Sequence, residues 1–114
     1  KPNIFRFPGG SINNYDKSIY QQLIAETTRR GFVYYDWNVS GEDADENANW
    51  TSIYNHVTKG IDGKGRAIIL LHDSDEKDST VTVLEDLIIE LQKEGYSFDK
   101  ITNETKPTTF EYIN

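Results

Sequence analysis

The sequence contains no cysteine, which excludes disulfides, thiolate metal sites and cysteine nucleophiles together while leaving the cellular compartment open. Long apolar runs are also missing. The longest, Ala67 to Leu71, falls far short of the ~20 residues that span a bilayer, and Lys1 to Arg6 holds no apolar stretch of signal-peptide length. Positive charge is scarce: 12 basic side chains against 19 acidic ones give a net charge of -7, which repels phosphate backbones and anionic lipid. Neither a nucleic-acid partner nor a membrane span is therefore expected. Only three prolines and eight glycines occur in 114 residues, and 36% of the chain is hydrophobic, so a disordered or low-complexity polymer is excluded in favour of a folded globular chain of about one domain's size.

Periodicity supplies the elements. Ile4 to Phe7 is a short strand candidate stopped by Pro8-Gly9-Gly10. Asp16 to Arg30 places Ile19, Leu23 and Ile24 on one helical face, with Gly31 as C-cap, and Phe32 to Tyr35 forms a second strand. Asp36 to Ala48 is polar and acidic and reads as loop. Trp50, Ile53, Tyr54, Val57 and Ile61 recur at helical spacing before the breaker Asp62-Gly63-Lys64-Gly65. Ala67 to Leu71 has the continuous apolar character of a strand covered on both faces. Ser79 or Thr80 caps a helix whose stripe is Leu84, Leu87, Ile88 and Leu91, ending at Gly95, and Tyr96 to Phe98 starts a last strand. Strands and helices alternate, so the strands are parallel and joined by right-handed crossovers.

In such folds functional groups gather at the carboxyl ends of the strands. Those ends deliver Arg6 and Pro8-Gly9-Gly10, then Asp36-Trp37, then His72-Asp73. Taken singly, Arg6 reads as half of a surface ion pair, Asp36 as a loop cap and His72 as a satisfied structural histidine. Together they put a cation, a carboxylate and an imidazole on one face, an arrangement suited to acid/base chemistry.

Three segments, Arg6-Phe7-Pro8-Gly9-Gly10-Ser11, Asp36-Trp37-Asn38-Val39 and Ile69-Leu70-Leu71-His72-Asp73, resemble in order and spacing the third, fourth and fifth motifs of the polysaccharide deacetylases, carbohydrate esterase family 4. The helix at Thr82 to Ile88 and the segment Gly95 to Phe98 are similar to the family's closing elements. The resemblance implies that residues 1–114 are the C-terminal half of a distorted (β/α) deacetylase barrel, with about four parallel strands and three helices. It implies a secreted or cell-envelope hydrolase that removes acetyl groups from N-acetylglucosamine units of peptidoglycan or chitin. In that family a divalent metal, usually zinc, polarises the acetyl carbonyl for attack by water. Carried over by position, His72 would protonate the leaving amine, Asp36 would hydrogen-bond His72 and keep it charged, and Arg6 would hold the aspartate base. Trp37 and Leu71 would wall the acetyl pocket, and the Gly9 amide would help to bind the oxyanion.

The sequence departs from the family at Gly9, where many members carry an aromatic residue, and at Phe7, which replaces a common proline. The larger departure is that the Asp-Asp and His-x-x-x-His motifs that bring the metal are missing: this chain has only His56, placed on a helix surface, and His72. A zinc site takes at least three protein ligands. The ligands are therefore expected from an N-terminal half of the domain, carried as a separate segment or upstream. The alternative reading is a non-catalytic carbohydrate-binding or interaction module without a metal site. Asp43, Asp45 and Asn47 alternate like a calcium loop, but Ala48 and Tyr54 stand where glycine and glutamate are required. Tyr34, Tyr35, Trp37 and Trp50 are candidates for stacking on sugar rings.

Overall fold

The computed structural model describes residues 3–12, 17–72 and 78–110, which form two compact units, Lys1–Trp37 with Lys100–Asn114 and Asn38–Asp99. The expected contributions of Asp16, Asp73 and the Ser79 side chain lie outside the described residues.

In the first unit, β1 (Ile4–Phe5) pairs in parallel with β2 (Val33–Tyr34) in the register Ile4 to Val33 and Phe5 to Tyr34, and α1 (Lys17–Arg29) makes the crossover. The helix ends as Gly31 suggests: the Gly31 amide bonds Thr28 O and the Phe32 amide bonds Thr27 O, the paired bonds of a Schellman cap. The expected apolar face of α1 is largely uncovered among the described residues, since Ile19 and Leu23 are exposed. What packs this unit is aromatic. Phe7 is buried and meets Phe5 edge-on at 4.9 Å, Tyr34 at 5.5 Å and Tyr20 at 5.7 Å between ring centres.

The second unit repeats the strand, helix, strand pattern with an aliphatic core. Here β3 (Val39–Ser40) pairs in parallel with β4 (Ile69–Leu70), joined through α2 (Trp50–Ile61), and α3 (Asp78–Lys93) follows. The stretch 36–48 is thus not all loop: Val39 has the burial of a core residue, and the polar residues around it mask a two-residue strand. Asn49 begins α2 with a capping box, its side chain accepting from the Ser52 amide while the Ser52 hydroxyl accepts from the Asn49 amide. Ile53, Val57 and Ile61 then face Val83, Leu87 and Leu91 of α3 in one buried cluster with Val39. The α3 stripe begins at Val83 and not at Leu84, which is exposed. Residues of β4 are half-buried, with Ala67, Ile69 and Leu71 packed against the cluster at alternate positions. Tyr96 to Phe98 forms no strand; the Gly95 and Tyr96 amides close α3 onto Gln92 and Leu91, which turns the chain out of extended pairing.

Candidate active site

The carboxyl end of β3 leads into Gly41, Glu42 and Asp43. Gly41 is pressed against the core: a Cβ there would come within 2.5 Å of Leu71 Cδ2 and 3.3 Å of Ile53 Cγ2. Glu42 follows in the left-handed region at φ 54, a conformation that side chains disfavour, with its amide on Ser40 Oγ at 3.1 Å. This tight turn carries the carboxylate of Asp43 inward, where it is 1% exposed.

Three donors meet that carboxylate. The His72 amide donates to Oδ2 at 2.7 Å, the Thr80 hydroxyl donates to Oδ2 at 2.5 Å, and the His72 ring Nδ1 lies 2.7 Å from Oδ1. Burial alone would raise the pKa of Asp43. The hydrogen bonds from the Thr80 hydroxyl and the His72 ring and amide, with the attraction of the imidazole, outweigh it and hold Asp43 below the usual carboxylate value. Asp43 is therefore an anion at neutral pH, and Nδ1 of His72 is the donor of the ring contact. That fixes the ring and leaves Nε2 for chemistry on a side chain that is 38% exposed. Thr80 serves here as a buried donor inside α3, and not as the cap expected from its position.

The carboxylate partner of His72 is thus Asp43, which corrects the assignment of Asp36 to that role. Asp36 is equally buried, but it accepts from the Ser11 amide at 2.9 Å, the Ser11 hydroxyl at 2.5 Å and the Phe110 amide at 2.6 Å. Its chemistry is that of a clamp on main chain. The physical reason is that β2 ends before Asp36 and a separate strand, β3, follows it at Val39–Ser40; the strand-end rule, applied to β3, points to Asp43.

The other expected residues divide between the units. In the first, Arg6 lies over the Trp37 ring, 5.9 Å from its centre, with Nη1 also donating to Phe7 O at 3.2 Å. Gly9 is exposed in the turn that the Gly10 amide closes on Phe7 O at 2.9 Å. In the second, Leu71 is half-buried over Gly41, and His72 follows it. His56 pairs with Glu42 at 3.2 Å on the surface of α2. Among the described residues no group of three or more His, Asp or Glu side chains is placed to hold a metal ion. The described residues do not by themselves fit a zinc centre.

An imidazole oriented by a buried carboxylate, at the end of a parallel strand in an α/β chain, is an arrangement suited to acid/base chemistry. No protein-family model matches the chain. It is 34% identical over 99 residues to a peptidoglycan-N-acetylglucosamine deacetylase of Bacillus cereus, a match over 86% of this chain and 43% of that protein. The crystal structure of the catalytic domain of peptidoglycan N-acetylglucosamine deacetylase from Eubacterium rectale superposes with a TM-score of 0.87 at 33% identity, covering 97% of this chain and 52% of that one. A Streptococcus mutans CE4 esterase shares the fold, with a TM-score of 0.65 at 20% identity over 84% of this chain and 42% of that one. These likenesses support a fragment of a polysaccharide deacetylase, and the chain spans about half the length of the relatives it matches.

Proposed function

We propose that residues 1–114 form the C-terminal part of a polysaccharide deacetylase domain that hydrolyses N-acetyl groups on N-acetylglucosamine units of peptidoglycan or chitin, in the cell envelope or outside the cell. The observation that carries this reading is the His72–Asp43 pair at 2.7 Å. Hydrolysis of an acetamide adds water to the carbonyl and expels an amine, which needs a proton as the C–N bond breaks. His72 is suited to give that proton from Nε2 while Asp43 stabilises the imidazolium through Nδ1–H. The Gly9 amide would donate to the oxyanion, Arg6 would hold the carboxylate base, and Trp37 and Leu71 would enclose the acetyl methyl. The divalent metal, zinc or another, would be held by ligands of the N-terminal part of the domain and would polarise the acetyl carbonyl.

In the full-length protein, His72→Ala is expected to lower turnover of an N-acetylglucosamine oligomer by about 10²- to 10⁴-fold, with the bound metal retained. Unchanged turnover would overturn the role of His72. A wild-type protein that binds the oligomer and releases no acetate in the presence of zinc would favour the non-catalytic module.

A further inference from the structure

The segment 102–110 has no regular secondary structure, yet it is stitched to the end of β2 in the first unit. The Tyr35 hydroxyl donates to the carbonyls of Thr105 at 2.5 Å and Thr102 at 3.3 Å, the Asp36 amide donates to Thr108 O at 2.7 Å, and the Phe110 amide donates to Asp36 Oδ2 at 2.6 Å. Tyr35 and Asp36 are both buried, so two fixed side chains determine where Phe110 sits.

They place the Phe110 ring edge-on to Trp37, with centres 4.9 Å apart and planes at 77°. Both rings close over the Pro8–Gly10 turn. A Cβ at Gly10 would stand 2.5 Å from Phe110 Cε2 and 3.3 Å from Trp37 Cη2, and Gly10 has φ +93, so glycine is required there on two counts. Phe110 and Trp37 are each only partly buried and keep apolar surface open, and the Arg6 guanidinium lies over the same indole. Gly9, the neighbouring residue of this turn, is exposed and offers no side chain.

We propose that Phe110 is a substrate-binding residue: with Trp37 it forms a fixed aromatic corner beside the Pro8–Gly10 turn, against which the apolar face of an acetylated hexosamine ring packs. The proposal rests on the deacetylase reading above. An aromatic ring brought in by the C-terminal segment supplies the broad apolar surface that Gly9 does not.

In the full-length protein, Phe110→Ala is expected to raise KM for an N-acetylglucosamine tetramer by about 3- to 10-fold while kcat changes by less than about 2-fold, and Phe110→Tyr is expected to restore KM. Phe110→Leu keeps apolar volume without an aromatic face and is expected to show the same rise, so it decides the matter where the alanine variant does not fold. Unchanged KM in these variants, a fall in kcat that Phe110→Tyr does not rescue, or loss of the fold in both the alanine and leucine variants would each overturn the proposal. A wild-type protein that removes no acetyl group from any acetylated hexosamine would overturn the deacetylase reading and this proposal with it. An active wild type with an indifferent Phe110→Ala variant would overturn this proposal alone.

Discussion

Asp36 and Asp43 are buried to the same degree, each 1% exposed, and each accepts three hydrogen bonds, yet they serve different ends in the two units. Asp36 receives two main-chain amides and a serine hydroxyl from segments distant in sequence, and so joins the chain after β1 to the C-terminal segment. Asp43 receives one amide, one hydroxyl and an imidazole. The difference lies in the third donor: a carboxylate closed off by amides and a hydroxyl can only hold structure, whereas one that faces an imidazole orients that ring and sets which nitrogen carries the proton. Burial and residue type alone do not distinguish the two; the identity of the donors does.

The comparison can be broken most directly by exchanging carboxylate for amide. Asp43→Asn in the full-length protein is expected to lower kcat on an N-acetylglucosamine oligomer by about 10- to 100-fold, because the amide no longer supports the imidazolium. Equal turnover in wild type and variant would reduce Asp43 to the same structural role as Asp36. The converse change, Asp36→Ala, strands the Ser11 and Phe110 amides and is expected to cost about 2–3 kcal/mol of stability in chemical denaturation. If it instead leaves the midpoint in place and abolishes turnover, Asp36 belongs to the chemistry after all.

Acid titration gives the smallest and most selective effect. The folded pKa of Asp43 is depressed, so its contribution to stability is complete above the unfolded carboxylate value of about 3.9 and is lost as pH falls through the lower folded value. Wild type is therefore expected to lose unfolding free energy below about pH 4 more steeply than Asp43→Asn, as read by denaturant midpoints across that range. Parallel curves would mean that Asp43 is not held as an anion by its partners.

Much of the second unit was legible in the sequence, because its determinants are local and periodic. Ile53, Val57 and Ile61 repeat at helical spacing, and Asn49, three residues before Ser52, closes its own capping box. Gly31 and Gly95 ended their helices as expected. The parallel pairing of β3 with β4 was not legible, since two residues set among acidic neighbours carry no period to detect. From that missed strand came the misplaced partner of His72. Asp43 resembled the first member of an alternating acidic run, and its true role depends on a turn through Gly41 and Glu42 whose left-handed backbone no side-chain pattern announces. Phe110 was invisible for a different reason: its position is set by long-range bonds to Tyr35 and Asp36, which local sequence does not encode.

Thr80 stands three residues before Val83 on α3, at the head of the same buried stripe that continues through Leu87 and Leu91. The packing of that helix and the hydroxyl bond to Asp43 are consequently one mechanical variable. A rotation of α3 about its axis would move the Thr80 hydroxyl relative to the carboxylate that also holds the histidine. Core fit along α3 and the hydrogen bonding of the buried carboxylate are in this sense coupled through Thr80.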